Sequence, residues 1–316
     1  MDRRTLLAAG GAWALAGSAH AQLAQPDEDD PPLAPEVLAL LPNISTRLAV
    51  SVGIERFGRF EFVVDTGASR TTISDTLARQ LNLPPGPRVV VNGVNSAEPT
   101  ATVRAAEVEI AGVKLRNVDM PVFPRSRLAA DGLLGLDALT QFRLVFDLIH
   151  RRLLLGRSAR EVRGSQEATR LPRDTQIEAL RHGGQLLFAN VEVDRVPVVA
   201  FIDSGSQYTI GNRALMRAVQ TTRPEDLATR YTVPIVGVTG QRRTGEVAMV
   251  RSLKLGGFSL RRTALVFSDL HIFDYLGLGQ TPALLLGADT LGRMDRVTVD
   301  FARSRVTFGR PRLIGS

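Results

Sequence analysis

Phe60-Glu-Phe-Val-Val64 runs directly into Asp65-Thr66-Gly67, and in the same setting, with Ser204 lying 138 residues after Thr66, Pro197-Val-Val-Ala-Phe-Ile202 runs into Asp203-Ser204-Gly205. Ahead of each lies a second apolar, β-branched run, Leu48-Ala-Val-Ser-Val52 and Leu186-Leu-Phe-Ala-Asn-Val-Glu-Val193. Two such runs with a short polar link predict a hairpin that feeds the acidic Gly turn. The parallel continues outward. Thr71-Thr-Ile73 and Tyr208-Thr-Ile210 follow the turns, and short helical patterns follow them at Asp75 to Leu81 and Asn212 to Val219. Val89 to Ser96 matches Val233 to Gly240, and Gly132-Leu-Leu-Gly-Leu-Asp137 matches Leu284-Leu-Leu-Gly-Ala-Asp289. Each half closes on an Asp and a later Gly, Asp147 with Gly156 and Asp300 with Gly309. Landmarks recurring in one order make the chain two copies of one unit. Short, closely spaced strands with few long helical patterns predict an all-β protein of two similar barrel- or sandwich-like lobes with a few short helices.

The boundaries follow from composition. Residues 1–21 have a basic start (Arg3, Arg4), an apolar run from Leu6 to Ala16 and Ala19-His20-Ala21, the pattern of a cleaved signal peptide. That predicts export to the periplasm or medium, by the twin-arginine route, which Arg3-Arg4 suggests, or by the general secretory one. The run is too short to span a bilayer, so no stable membrane insertion is expected once it is removed. Residues 22–42, acidic and Pro-rich, read as a spacer; 43–157 and 180–310 as the lobes; 158–179, rich in Arg, Glu and Gln, as a linker; and 311–316 as a tail. The net charge of +7 does not point to nucleic acid: only Lys114 and Lys254 of 39 basic residues are Lys, and the Arg residues are scattered without interleaved aromatics. With no Cys there is neither disulfide nor thiolate chemistry.

One carboxylate on a tight turn after an apolar strand is cheap, but two by chance come to about one in two thousand. A duplicated structural turn is the plain alternative, since Asp accepts backbone hydrogen bonds there and Gly relaxes the dihedrals. The functional reading rests on symmetry: like units about a pseudo-two-fold axis can bring equivalent turns together. Two carboxylates at about 4 Å, with an effective dielectric near 20, repel by about 4 kcal/mol, or about three pKa units. Such a pair holds one proton over a broad pH range. Its charged member can take a proton from water while its protonated member donates to a carbonyl, which is general acid and base catalysis of peptide hydrolysis without a covalent intermediate.

Val63-Val64-Asp65-Thr66-Gly67-Ala68 and Phe201-Ile202-Asp203-Ser204-Gly205-Ser206, with Leu133-Leu134-Gly135 and Leu285-Leu286-Gly287, resemble the aspartic proteases of the pepsin and retropepsin clan. The resemblance implies the acid-protease fold: two lobes about a pseudo-two-fold axis, a peptide or protein substrate in the cleft between them, a monomer, and no cofactor or metal. It implies an aspartic endopeptidase with Asp65 and Asp203 activating water. Gly67, Ala68, Gly205 and Ser206 would support the turns, Thr66 and Ser204 would hydrogen-bond across the lobe interface, and Gly93 and Gly237 would sit in flap hairpins that permit a tight turn. The halves are short for pepsin lobes and closer to retropepsin subunits, so the chain resembles a retropepsin dimer fused into one. Ala68 is the retropepsin residue and Ser206 the pepsin one. If Ser206 donates to the Asp203 carboxylate, Asp65 is expected to carry the shared proton. The first flap lacks the pepsin Tyr.

Other chemistries find no support. The chain has no His-Glu-x-x-His, no Gly-x-Ser-x-Gly elbow in the mature part, and no dinucleotide fingerprint at Gly277-Leu-Gly279. Asp131 and Asp137 lack the alternation of a calcium loop, so structural hydrogen bonding is expected of them. The rival from another class is a catalytically silent peptide-binding or scaffold protein on the same fold.

Overall fold

The computed structural model describes residues 36–39, 41–42, 48–150, 152–157, 174–222 and 231–312. The first half contains strands β1 (Glu36–Ala39), β2 (Leu41–Pro42), β3 (Leu48–Ile54), β4 (Arg59–Val64), β5 (Thr72–Ser74), β6 (Val89–Asn92), β7 (Ala97–Thr100), β8 (Thr102–Ile110), β9 (Val113–Phe123), β10 (Gly132–Leu134), β11 (Phe142–Asp147) and β12 (Arg152–Arg157). Its helices are α1 (Asp75–Gln80), α2 (Arg125–Leu128) and α3 (Leu136–Leu139). The second half contains β13 (Thr175–His182), β14 (Gln185–Val193), β15 (Val196–Ile202), β16 (Ile210–Gly211), β17 (Tyr231–Val236), β18 (Arg242–Leu255), β19 (Phe258–Phe267), β20 (Ala283–Leu286), β21 (Arg296–Asp300) and β22 (Arg305–Phe308), with α4 (Arg213–Thr222), α5 (His271–Tyr275) and α6 (Ala288–Leu291).

In each half six strands close on themselves. The order β3-β4-β10-β5-β9-β8 returns through β3–β8, and β14-β15-β20-β16-β19-β18 returns through β14–β18. Closure removes most exposed edges. The apolar runs that announce the hairpins supply the barrel interiors: Val50, Val52, Phe62 and Val64 in one, Val191, Val193, Ala200 and Ile202 in the other, all buried. The two short helical patterns form as expected, capped by Ser74, whose Oγ accepts from the Leu77 N–H, and by Asn212, whose Oδ1 accepts from Leu215.

Between the barrels lies a sheet that draws equally on both halves, in the order β1-β12-β11-β21-β22-β13, with β11 against β21 at its centre. Its inner faces, including Phe142, Leu144, Phe146, Val297, Val299 and Phe308, join the two barrel interiors into one apolar core. Here the expected boundaries shift. β1 and β2 fall inside the stretch read as spacer (22–42), and β13 begins inside the stretch read as linker (158–179). Each repeat therefore opens with a strand that pairs with its own last strand, β1 with β12 and β13 with β22. That pairing joins the two ends of a repeat, so no local pattern announces it. The expected signal peptide (1–21), residues 22–35 of the spacer and residues 158–173 of the linker lie outside the described residues, as do 313–316 of the tail.

Candidate active site

Each acidic residue stands one step beyond a central strand, Asp65 after β4 and Asp203 after β15. Its backbone N–H donates to the strand that passes behind the turn: Asp65 to the Leu134 carbonyl and Asp203 to that of Leu286, both at 3.0 Å. Within each turn the next backbone amides fold back on the carboxylate. Gly67 N and Ala68 N donate to Asp65 Oδ1 at 2.9 and 3.0 Å, and Gly205 N and Ser206 N to Asp203 Oδ1 at 3.0 Å.

The two turns are bolted together by a reciprocal pair of hydroxyls. Thr66 Oγ1 accepts from Ser204 N (3.0 Å) and donates to the Ile202 carbonyl (2.9 Å). Ser204 Oγ accepts from Thr66 N (3.2 Å) and donates to the Val64 carbonyl (2.8 Å). Glycine is required beside them. A Cβ on Gly67 would lie 2.4 Å from the Asp203 carboxyl carbon, and one on Gly205 would lie 2.4 Å from that of Asp65. Each acid thus rests on the other turn's glycine, which sets the two carboxyls side by side in one pocket.

Their environments differ. Asp203 is 3 % exposed, whereas Asp65 is only partly buried. Burial first, then the Asp65 charge and the hydrogen bond between the acids, push the Asp203 carboxyl well above its usual range against the two turn amides that favour its anion. The premise of the expectation that Asp65 holds the shared proton, a Ser206 hydroxyl donating to Asp203, is corrected. Ser206 Oγ does not serve the Asp203 carboxylate but donates to the Tyr208 carbonyl (2.9 Å), so the hydroxyl on which that expectation rested points elsewhere.

Behind the turns the duplicated Leu-Leu-Gly segments act as backstops. A Cβ on Gly135 or Gly287 would strike the backbone of Arg70 or Tyr208 at 2.3 Å. Asp137 accepts from the Thr71 N–H and hydroxyl at 2.8 and 2.7 Å, and Asp289 from the same groups of Thr209 at 3.0 and 2.6 Å. Burial raises the Asp137 pKa. Asp131 accepts from Glu61 N at 3.0 Å and pairs with Arg125. Among the described residues no group of acids and histidines is arranged to hold a metal ion.

Two family models match the chain. Residues 50–141 match a gag-polyprotein aspartyl protease and residues 189–290 match an aspartyl protease. The chain belongs to the aspartyl proteases, as a retropepsin-like protein with two halves. No curated protein matches it at a significant level.

In this aspartyl protease both carboxyls open into a cleft lined on one side by Val91, Gly93, Leu128 and Leu133 and on the other by Tyr208, Ile210, Ile235 and Gly237. Two hairpins roof it: β6-β7, turning through Gly93 to Ser96, and β17-β18, turning through Gly237 to Gln241. Their tips interlock. Val94 packs into the apolar cluster of the second lobe with Ile235, Ile272 and Phe273, and Val238 packs into that of the first with Val63, Phe123 and Leu128. Asn95 Nδ2 donates to the Ile235 and Gln241 carbonyls at 3.0 and 2.7 Å, Ser96 Oγ to Thr239 Oγ1 at 3.0 Å, and Arg127 to the Thr239 carbonyl at 3.1 Å.

The glycines expected in or near the flap turns stand at them but do not supply a left-handed dihedral. Neither Gly93 nor Gly237 has a positive φ; in these tips that belongs to Gly240, at 80°. Gly93 instead leaves room for the opposite tip, since its Cβ would meet Thr239 Cγ2 at 3.0 Å. Sequence reasoning passed over Asn95, Arg127 and Gln185, which all act across the lobe interface.

Proposed function

We propose that this protein is an aspartic endopeptidase that hydrolyses peptide bonds by attack of water activated between Asp65 and Asp203. The observation that carries the reading is the seating of each carboxyl on the other turn's glycine, which holds two acids in contact at the floor of a roofed cleft. Asp65 acts as the base and removes a proton from water. Asp203 donates its own proton to the carbonyl oxygen of the scissile bond, and the water oxygen bonds to the carbonyl carbon. In the second step Asp203 takes a proton back from a hydroxyl of the tetrahedral intermediate, Asp65 gives its proton to the leaving nitrogen, and the C–N bond breaks. The dyad returns to one proton. The ring of apolar side chains on both walls suits an extended peptide with apolar side chains near the cut. No cofactor enters any step.

The chain works as a monomer in this proposal, because both halves of the site are supplied in one polypeptide. We further assign it to the periplasm or the medium on the strength of residues 1–21, which mass analysis of the mature N-terminus near Gln22 would check. The decisive assay incubates the mature protein with a denatured polypeptide, alongside Asp65→Asn and Asp203→Asn and with a pepstatin-type inhibitor. Each substitution is expected to lower cleavage by at least a hundredfold. Equal cleavage by all three proteins would overturn the proposal, and binding of peptide without cleavage by any would identify the silent scaffold instead.

A further inference from the structure

Gln185 is the first residue of β14, belongs to the second half of the chain, and is 4 % exposed. Its side chain crosses to the first half, where Nε2 donates to the Thr66 carbonyl at 2.8 Å and to the Gly67 carbonyl at 3.3 Å. Those two carbonyls belong to the very peptide units whose N–H groups, on Gly67 and Ala68, donate to Asp65 Oδ1. A donor on a peptide's oxygen withdraws electron density and makes its N–H a stronger donor, so the two hydrogen bonds act in series on the carboxylate. Among the described residues no side chain donates to the Ser204 or Gly205 carbonyls, the matching groups of the Asp203 turn.

We propose, resting on the dyad reading above, that Gln185 is a positioning residue: by polarising both peptides of the Asp65 turn it fixes Asp65 as the ionised member and leaves the shared proton with Asp203. The surroundings favour an electrostatic role. The small cavity at Gln185 is lined by Thr66, Leu186, Ile202, Val299, Phe301 and Val306, none of them ionisable, so the amide acts where solvent screens little. The ionisable groups that face the dyad are Arg70 and Arg127 from the first lobe and Tyr208 from the second, with Asp137 behind Arg70. The one titratable neighbour of Gln185 in register is the exposed His182 on β13. None of these contacts the Thr66 or Gly67 carbonyls, so the amide alone supplies this coupling among the described residues.

The test uses the mature protein with Gln185→Met, which keeps the volume and removes the donor, and Gln185→Glu, whose buried protonated carboxyl can still donate to Thr66. Two readouts are taken: the pH profile of kcat/KM, and the 13C titration of the Asp65 and Asp203 side-chain carboxyls, which needs no turnover. In Gln185→Met the acid limb is expected to move up by about one pH unit, a roughly tenfold loss of kcat/KM on that limb with KM little changed, and the Asp65 carboxyl to titrate higher by the same amount. Gln185→Glu is expected to restore the acid limb. Should Gln185→Met not fold, Gln185→Asn, one methylene shorter, withdraws the amide and is expected to shift the titration likewise. A folded Met or Asn variant with an unshifted titration and acid limb overturns the proposal and leaves Gln185 a structural strut. Absence of cleavage by the unaltered protein would instead count against the endopeptidase, while the carboxyl titration would still judge Gln185.

Discussion

At Asp203 the proton assigned to the proposed reaction also bears on folding. Its carboxyl binds that proton more tightly in the folded chain than in the unfolded one, where the ordinary value is 3.8. The resulting contribution to stability is fully present below about pH 4 and is lost as pH rises through the raised folded value. Asp203→Asn imitates the protonated acid at every pH. Its melting temperature relative to the unaltered protein is therefore expected to climb with pH above 4, by roughly 3 °C per pH unit until the folded value is passed. Scanning fluorimetry from pH 4 to 9 checks this, and a constant difference would contradict it. The adjacent glycines act by contact alone. Neither Gly67 nor Gly205 has a positive φ, so alanine meets no backbone penalty there and its methyl simply collides with the opposite carboxyl. Gly67→Ala or Gly205→Ala is expected to cost about 1–3 kcal/mol in urea unfolding and to lower kcat/KM at least a hundredfold by forcing the acids apart.

Among the elements, the strands that meet at the turns are fixed to each other mostly by groups with no solvent alternative. Removing the Ser204 hydroxyl leaves the Thr66 N–H and the Val64 carbonyl without that partner in a buried interface. Ser204→Ala is expected to destabilise by about 1–3 kcal/mol, read from the urea midpoint at constant slope. This scale also shows what the amino-acid sequence makes legible. The hairpins β3-β4 and β14-β15 and the backstop strands β10 and β20 are visible because their buried faces are continuous apolar runs beside Gly turns. So are Asp65 and Asp203, because the duplication marks them twice. β1 and β13 are not visible: β1 is a short strand whose partner β12 lies at the far end of its repeat, and β13, whose first residues pair with the equally distant β22, buries only Ile177 and Ala179 on one face. The unequal burial of the two acids and the turning of the Ser206 hydroxyl to the Tyr208 carbonyl were hidden for a related reason, since both depend on how the lobes meet rather than on the motif.

For the whole molecule, the shared sheet and the interlocked flaps set two different scales of motion. Beneath the cleft the apolar core passes from one barrel through β11 and β21 into the other, so the lobes share one core and are expected to unfold together. In the endopeptidase proposed above, substrate is then expected to enter through the roof. Beyond the packing of Val94 and Val238, the flap tips are held by side-chain bonds of Asn95, Ser96 and Arg127 to the opposite hairpin. Local opening of such a unit has a free energy set by those bonds rather than by global stability. Asn95→Ala deletes two of them, each worth about 1 kcal/mol net. Hydrogen exchange at residues 93–96 and 237–241 is expected to speed up by about tenfold or more, with the amides of β10 and β20 unchanged. If exchange rose equally in the tips and in those central strands, opening would be a motion of the lobes, and the route of substrate into the cleft would have to be sought along β11 and β21 instead.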